Sequence, residues 1–265
     1  MYRKHLITAI KSALKAGKAI LEVYDSEFDV EMKEDQSPLT TADKKSHSII
    51  DHALKKTGIP VLSEEGKNIP YSQRKDWDLL WIVDPLDGTK EFIKKNGEFT
   101  VNIALVMNGR PILGVIYVPV LDVLYFASRN EGSYKMEQVK RFSDPDWHTL
   151  IKNASLLPLK VSKNRYTVVG SRSHMNQETQ RFIAKKKKKH GEIEIISQGS
   201  SLKFCMVAEG KADVYPRFAP TSEWDTAAGQ AIVEHAGGSV TLTDGETPLI
   251  YNKENILNPN FIVFG

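Results

Sequence analysis

An apolar run at residues 79–83 ends in a turn that carries two acids, in the order Asp84-Pro85-Leu86-Asp87-Gly88-Thr89. The run predicts a buried strand. Because proline has no N–H to donate to a ladder, we expect this strand to end at Asp84. Carboxylates on a short, sharply folded segment are typical of sites for hard divalent cations, and the Leu86 carbonyl and Thr89 hydroxyl add oxygen ligands. The other interpretation is an ordinary turn, where Asp, Pro and Gly are common.

Length and composition describe a globular protein. The 265 residues suffice for one large domain or two small ones, and 41% hydrophobic and 26% charged residues are ordinary values. No apolar run reaches the roughly eighteen residues of a membrane span, and the first residues predict an amphipathic helix rather than a signal segment. The single cysteine, Cys205, excludes an internal disulfide and is consistent with a reducing cytoplasm.

The net charge of +3 permits anionic substrates without indicating a nucleic-acid partner. The densest basic run, at residues 185–189, is either a patch for an anionic surface or the end of a helix, where cations suit the dipole. We favour the helix end, because no aromatic residues interleave with the lysines as a base-stacking platform requires.

The first half of the chain predicts helices followed by an antiparallel meander. Apolar residues at steps of three and four predict a helix over residues 6–24, and a second helix follows Thr40, with Thr40 as N-cap and Asp43 completing a capping box. Strands are expected at residues 61–63, 99–107, 111–118, 123–127 and 132–134, with Asn108-Gly109 as a hairpin turn. This order indicates an α+β layered arrangement.

The second half predicts strands and helices in alternation. Gly199-Ser200-Ser201 opens a helix that ends near Gly210, and Asp225 is expected to be the N-cap of a helix over residues 227–236. Residues 138–163 carry no clear period. We therefore expect two subdomains in one compact catalytic unit, residues 1–140 with most of the candidate ligands and residues 141–265 with Asp225.

Three separated elements resemble one family: Asp84-Pro85-Leu86-Asp87-Gly88-Thr89, Glu64-Glu65, and Trp224-Asp225-Thr226-Ala227-Ala228-Gly229 followed by Gly237-Gly238. They are similar to the metal-dependent, lithium-sensitive phosphomonoesterases typified by inositol monophosphatase. The strings from Asp84 to Phe92 and from Ser200 to Cys205 most resemble the CysQ-type 3'(2'),5'-bisphosphate nucleotidases. The resemblance covers nearly the whole chain, in family order.

The resemblance implies a layered αβαβα sandwich and a site for two or three Mg²⁺ ions. The implied ligands are the carboxylates of Glu64, Asp84, Asp87 and Asp225 and the carbonyl of Leu86, with Glu65 as the alternative to Glu64. Asp43 and Thr89 are implied to orient and deprotonate the attacking water, in a direct in-line attack without a phosphoenzyme. On residue type alone, Asp43 and Asp225 would simply stabilise helix N-termini.

The implied substrate is adenosine 3',5'-bisphosphate, which would yield AMP and phosphate. The resemblance also implies 3'-phosphoadenylyl sulfate as a second substrate and a role in sulfate assimilation. Ser200, Lys203 and Arg217 are expected at the second phosphate, since arginine suits bidentate phosphate recognition. Lys203 is alternatively an ordinary helix cation, and His174 a residue without a ligand role. The remaining expected substrate contacts are Glu64, Asp87, Gly88, Thr89, Lys90, Ser173, His174 and Asp225.

Two alternatives stay open. The first is an inositol monophosphatase or fructose 1,6-bisphosphatase activity on the same metal site, against which Lys90-Glu91-Phe92 and the string from Ser200 to Cys205 argue. The second is a non-enzymatic regulator that binds RNA or nucleotide through residues 185–189, against which the intact set of acidic ligands argues. We expect a cytoplasmic protein; the resemblance also allows peripheral association with the inner face of the membrane, although the sequence shows no anchor.

Overall fold

The computed structural model describes residues 2–28, 30–32, 38–170 and 176–265. The helices within them are α1 (Arg3–Tyr24), α2 (Thr41–Lys55), α3 (Tyr71–Arg74), α4 (Thr89–Ile93), α5 (Trp147–Asn153), α6 (Gln177–His190), α7 (Leu202–Ala208) and α8 (Glu223–His235). The strands are β1 (Val30–Met32), β2 (Pro38–Thr40), β3 (Val61–Ser63), β4 (Leu79–Asp87), β5 (Thr100–Met107), β6 (Arg110–Val118), β7 (Val123–Ser128), β8 (Gly132–Glu137), β9 (Ser155–Leu156), β10 (Tyr166–Gly170), β11 (Ile193–Ser197), β12 (Val214–Arg217), β13 (Ser239–Leu242) and β14 (Phe261–Phe264).

Two mixed sheets and three layers of helices make up the main architecture of the described residues, and β1 and β2 form a separate antiparallel pair. The larger sheet has the order β3-β4-β5-β6-β7-β8-β9, in which β3 and β4 are parallel and the other pairs antiparallel. The smaller has the order β11-β10-β12-β14-β13. Helices α1 and α2 cover one face of the larger sheet, α7 and α8 lie between the sheets, and α6 covers the outer face of the smaller sheet. The predicted αβαβα sandwich is confirmed.

The central strands are apolar throughout because each side of the larger sheet is covered. In β5, Val101, Ile103 and Leu105 lie in the core against α1 and α2, whereas Ala104 and Val106 lie in the core against α7 and α8. Successive side chains of a strand point to opposite faces, so a strand buried on both faces reads as a continuous apolar run. Asn102 therefore points to the same side as Ala104, toward α7 and α8.

Strand β4 is longer than predicted. It continues past Pro85 to Asp87, with a register shift between Asp84, opposite Asn102, and Asp87, opposite Thr100. The prediction that the strand ends at Asp84 is wrong. Strand β3 stops pairing at Val83, so beyond that point β4 has a ladder partner on one side only, and a proline is tolerated at such an edge or bulge.

Helix α5 was not predicted. It starts at Asp146, whose side chain accepts a hydrogen bond of 2.8 Å from the Thr149 N–H. Seven residues are too few for the period of a helix to stand out, and its cap lies inside a cluster of turn residues. Strand β9 follows and pairs with β8, so the last strand of the larger sheet lies at residues 155–156. The division at residues 140 and 141 stays a prediction.

In the described ranges, with their gaps at 29, 33–37 and 171–175, no helix combines the length and apolar character needed to cross a membrane.

Helix α8 packs against the larger sheet at a glycine. A Cβ atom on Gly114 of β6 would lie 2.5 Å from the Ala228 carbonyl oxygen and 2.8 Å from the Ala231 Cβ. The absence of a side chain at Gly114 therefore sets how closely α8, which carries Asp225, approaches the sheet that carries Asp84.

We expect Gly114→Ala to destabilise the protein by about 1–3 kcal/mol, because the added methyl group overpacks a rigid contact between a strand and a helix backbone. Urea unfolding followed by circular dichroism measures the loss. Lys152→Ala, on the exposed surface of α5, is the control and should change the free energy of unfolding by less than about 0.5 kcal/mol. Equal stability of the two variants would contradict the close-packing argument.

Candidate active site

Two aspartates of the site are held by the same local device, a capping box at a helix N-terminus. Asp43 Oδ2 accepts hydrogen bonds from the Thr40 N–H at 2.7 Å and the Thr40 hydroxyl at 2.6 Å, as predicted for α2. Asp225 Oδ2 accepts from the Ser222 N–H at 2.7 Å at the start of α8. A capping box uses the side chain of the third helical residue, so each helix start fixes the position of a carboxylate.

The expectation that Asp225 is the N-cap of a helix over residues 227–236 is wrong. The N-cap is Ser222, the helix begins at Glu223, and Asp225 is the third helical residue. The pattern of serine followed three residues later by an acid is itself a helix-start signal, which the prediction overlooked.

The register shift in β4 turns its acids toward the helix starts. The Leu86 N–H donates to Asp84 Oδ1 at 3.1 Å, and the Ser46 hydroxyl of α2 donates to the Pro85 carbonyl at 2.6 Å. Gly88, with φ of +93°, then reverses the chain into α4. A side chain at this left-handed position would be strained, so glycine is the favoured residue for the turn.

Glu64, Asp84 and Asp225 converge. Each has a carboxylate oxygen within 4.8 Å of one from each of the others, and Asp84 is 1% exposed. Glu64 is thus the member of the Glu64–Glu65 pair whose carboxylate joins this cluster. The three acids come from the end of β3, the register shift of β4 and the start of α8, and the group can hold a metal ion.

Burial and mutual repulsion raise the pKa values of two acids of the cluster. Burial, reinforced by the charges of Glu64, Asp87 and Asp225, holds the pKa of Asp84 well above its usual range. Burial and the neighbouring Asp87 carboxylate raise the pKa of Asp225 to about 8, although the Ser222 N–H opposes the shift. Clusters of acids with raised pKa values are frequent in functional sites. A bound cation makes the ionised form of such a cluster favourable.

Asp87 lies beside this cluster and is held by neutral donors. Its Oδ2 accepts hydrogen bonds from the hydroxyls of Ser200 at 2.6 Å and Ser201 at 2.8 Å, and from Asn102 Nδ2 at 3.3 Å. The Ser200 hydroxyl thus contacts Asp87, and its predicted contact with a phosphate stays a prediction. Ser200 has a φ of +51°, an uncommon backbone conformation for a residue other than glycine.

The predicted Asp43–Thr89 pair forms. The Thr89 hydroxyl lies 3.2 Å from Asp43 Oδ1 and 3.4 Å from the Leu86 carbonyl oxygen. The structure thus places Asp43 of α2, Thr89 of α4 and the end of β4 side by side.

A cleft of about 300 Å³ opens beside the acids. Seven of the predicted site residues line it, namely Asp87, Gly88, Lys90, Ser200, Lys203, Arg217 and Asp225. Glu64 and Thr89 do not line this cleft. Its apolar wall includes Phe204, Tyr215 and Phe261.

Two cations of the cleft have fixed positions. Lys203 is 7% exposed, and its ammonium donates to the carbonyl oxygens of Gln198 and Ser200 and lies 5.5 Å from the centre of the Tyr215 ring. Burial lowers the pKa of Lys203 to about 8, while Asp87 opposes the shift. Arg217 donates to the carbonyl oxygens of Ala219 at 3.1 Å and Pro220 at 2.9 Å. Both side chains are thereby oriented before any ligand arrives.

Two predicted contacts cannot be placed, because Ser173 and His174 lie outside the described residues. The lysine run at residues 185–189 forms the last turns of α6, as expected. Within it, the Lys186 ammonium lies 5.2–5.5 Å from the ring centres of Tyr166, Phe182 and Phe264, so this lysine packs on its own domain.

Sequence reasoning missed Asn102, Ser201, Ser46 and Ser222. Asn102 carried a signal, since a polar residue inside an otherwise apolar strand is expected to be buried with a hydrogen-bond partner. The partners of Ser46 and Ser201 are distant in sequence, at Pro85 and Asp87. No local pattern identifies such pairs.

The profile of the inositol monophosphatase family matches residues 1–262. This chain belongs to the inositol monophosphatase family. The crystal structure of CysQ from Bacteroides thetaiotaomicron has 52% identity and a TM-score of 0.91, and covers 100% of this chain and 98% of that one. The 3'(2'),5'-bisphosphate nucleotidase CysQ of Salmonella typhimurium is 44% identical over 95% of this chain and 96% of its own. An inositol monophosphatase from Anabaena is more distant, at 26% identity and a TM-score of 0.68, over 98% of this chain and 90% of that one.

For this family member without metal, we expect stability to fall as the pH rises. The raised pKa of Asp225, about 8, lies above its ordinary value, so the folded protein keeps a proton that the unfolded chain releases. The free energy of unfolding should therefore decrease as the pH rises from about 4 to about 8. Thermal unfolding in EDTA measures the trend.

Asp225→Asn should weaken this pH dependence, of which Asp84 retains a part, and Asp25→Asn, at the exposed end of α1, should leave it unchanged. Addition of Mg²⁺ to the wild type should raise the melting temperature most at high pH, where the acids are ionised. A melting temperature that rises with pH across this window would contradict the repulsion argument.

Proposed function

We propose that this protein is a Mg²⁺-dependent 3'(2'),5'-bisphosphate nucleotidase that removes the 3'-phosphate of adenosine 3',5'-bisphosphate, giving AMP and phosphate. The observation that carries the proposal is a cleft with two fixed cations, Lys203 and Arg217, directly beside a cluster of carboxylates. The two cations suit a bound phosphate, and the carboxylates suit a metal-assisted reaction at another phosphate. The similarity to CysQ relatives, one of them named a 3'(2'),5'-bisphosphate nucleotidase, supports this proposal.

The donor set fits Mg²⁺. Glu64, Asp84 and Asp225 offer carboxylate oxygens, and the described residues show no histidine or cysteine in this group. Hard oxygen ligands are those Mg²⁺ prefers, at about 2.0–2.1 Å, so two ligands on opposite sides of one ion are about 4 Å apart. The observed limit of 4.8 Å between oxygens is close to that spacing. Asp87 and the Leu86 carbonyl would complete the set.

Mg²⁺, when bound, supplies positive charge to the transferring phosphoryl group and makes water more acidic. The remaining roles in the reaction are assigned to side chains of the protein. The Thr89 hydroxyl, which donates to Asp43 Oδ1 at 3.2 Å, keeps its oxygen lone pairs for the proton of an attacking water. The proton released by water would pass through Thr89 to Asp43. The water oxygen bonds to phosphorus and the bond from phosphorus to the 3'-oxygen breaks. The leaving 3'-oxygen then takes a proton from solvent water and becomes the 3'-hydroxyl of AMP.

The second phosphate would lie against Lys203 and Arg217. Lys203 has three N–H donors and gives two of them to carbonyl oxygens, which leaves one for a ligand. Arg217 donates to the carbonyls of Ala219 and Pro220, and its guanidinium has further N–H groups that can donate to a ligand. Because both cations are oriented in advance, little side-chain entropy is lost when the phosphate binds. 3'-Phosphoadenylyl sulfate carries a charged group at the same end and is proposed as a second substrate, in keeping with a role in sulfate assimilation.

Other details of the proposal follow the family resemblance. Two or three Mg²⁺ ions, a cytoplasmic location and peripheral association with the inner face of the membrane stay predictions. An inositol monophosphatase activity is the alternative on the same acids. A role in RNA or nucleotide binding for residues 185–189 has less support, since one of these lysines packs against three aromatic rings.

The first test compares phosphate release from adenosine 3',5'-bisphosphate and from inositol 1-phosphate in Mg²⁺. We expect strong preference for the nucleotide, and loss of at least about 100-fold in rate for Asp84→Asn, because a buried metal ligand is removed. Preference for the inositol ester would overturn the substrate assignment but keep the metal site. Full activity of Asp84→Asn would overturn the mechanism.

The second test concerns the cations of the cleft. Arg217→Ala should raise KM for adenosine 3',5'-bisphosphate about 10- to 100-fold, since a charge-assisted hydrogen bond contributes about 1.5–3 kcal/mol. The KM for 3'-AMP, which lacks the second phosphate, should hardly change. Arg165→Ala is the matched control, because Arg165 pairs on the surface with Glu192 at 2.9 Å, away from the cleft. An equal effect of Arg217→Ala on both nucleotides would refute the assigned contact.

A further inference from the structure

One oxygen of Asp87 is fully used by the protein. Oδ2 accepts from Ser200 Oγ, Ser201 Oγ and Asn102 Nδ2, at 2.6, 2.8 and 3.3 Å. A carboxylate oxygen has about two lone-pair sites, so three donors saturate Oδ2. Within the part of the chain that the structure describes, no donor is bonded to Oδ1. The hydrogen bonds thus distinguish two chemically equivalent oxygens, Oδ2 with three donors and Oδ1 with none among the described residues.

Ser201 is the link between the elements that carry the acids. Its hydroxyl lies 2.8 Å from Asp87 Oδ2, 3.0 Å from the Asp225 carbonyl oxygen and 2.9 Å from Asn102 Nδ2. Asp87 ends β4 and Asp225 lies in the first turn of α8, whereas Ser201 directly precedes α7. The single proton of this hydroxyl is shared between the Asp87 carboxylate and the Asp225 carbonyl, so Ser201 contacts the larger sheet and both helices of the middle layer at the site itself.

Asn102 orients this serine and the aspartate together. Its Nδ2 group provides the donors for Ser201 and Asp87, while its Oδ1 accepts from the Thr100 hydroxyl at 2.9 Å, which also fixes which way the amide points. Asn102 and Ser201 are buried, at 1% and 2% exposed, so water does not replace these partners freely. A buried, satisfied polar network of this kind holds its members in one geometry.

We propose that Ser201 and Asn102 are positioning residues that fix the Asp87 carboxylate so that Oδ1 is presented to the metal. The inference rests on the proposed function, in which Asp87 is a metal ligand. Neither residue reaches the reacting phosphate in this role; both act through Asp87. Groups that orient a metal ligand typically change metal affinity or activity about 10- to 100-fold when removed.

The test uses Ser201→Ala, which removes the hydroxyl and adds no bulk. We expect the Kd for Mg²⁺, measured by calorimetry on the protein without substrate, to rise about 10- to 100-fold. The Mg²⁺ concentration for half-maximal hydrolysis should rise in parallel. At saturating Mg²⁺, kcat should return to within about threefold of wild type, and KM for the nucleotide should be unchanged. A purely structural defect would instead lower activity at every Mg²⁺ concentration.

Ser12→Ala is the matched control. Ser12 is equally buried, at 2% exposed, and donates to the Thr8 carbonyl at 2.7 Å within α1, so its loss removes a comparable bond. Its Mg²⁺ affinity should equal that of the wild type. Asn102→Ala should weaken Mg²⁺ binding in the same direction. The double variant should lose less affinity than the sum of the two single losses, because both residues act on one carboxylate.

The outcomes separate the two proposals. If the wild type hydrolyses the nucleotide with Mg²⁺ but Ser201→Ala binds Mg²⁺ as tightly as the wild type, the positioning role is refuted and the function stands. A loss of activity that excess Mg²⁺ does not restore, with Mg²⁺ binding unchanged, also refutes it. A wild type without nucleotidase activity refutes the proposed function itself, whereas the calorimetric comparison of variants still tests the link from Ser201 to the metal.

Discussion

Electrostatic repulsion among Glu64, Asp84 and Asp225 is the constraint on which the rest of the site depends. Three carboxylate oxygens within 4.8 Å of one another, one of them on a buried side chain, favour protonation over charge. Burial, together with the charges of neighbouring carboxylates that include Asp87, raises the pKa values of Asp84 and Asp225. The carboxylates of Asp84 and Asp225 are each held in this geometry by a backbone N–H, that of Leu86 and that of Ser222. A cation converts the same geometry from a cost into a favourable interaction.

The anchors are local devices placed at the meeting point of three layers. Capping boxes fix Asp43 on α2 and Asp225 on α8, and a register shift fixes Asp84 and Asp87 on β4. In each box the carboxylate oxygen that bonds the backbone stabilises the helix, so folding stability and the placement of the acid come from one interaction. The capping and the catalytic interpretations of Asp43 and Asp225 are therefore compatible.

Whether the sequence predicts a feature of the fold or the site depends on how far apart in sequence the interacting residues are. The capping box at Thr40, the Asn108-Gly109 hairpin and the layered order are local or repeated patterns, and they were predicted. The path of β4 past Pro85 was not, because it depends on where β3 stops pairing. The contact between Ser201 and Asp87 spans 114 positions and depends on the packing of α7 on the sheet. The family resemblance brought distant acids together, but it did not identify the neutral residues that hold them.

If the proposed function holds, the turn that leads into α7 connects substrate recognition with metal binding. Ser200 and Ser201 bond the Asp87 carboxylate, while Lys203, one turn later, donates to the Ser200 carbonyl and lines the cleft. A ligand that pulls on Lys203 must therefore act on the same turn that orients Asp87. The left-handed backbone of Ser200 indicates that this turn is held in place by its contacts rather than by local preference. Binding of a second phosphate and correct placement of a metal ligand should thus reinforce each other, which gives a physical reason for a preference for bisphosphates over monophosphates.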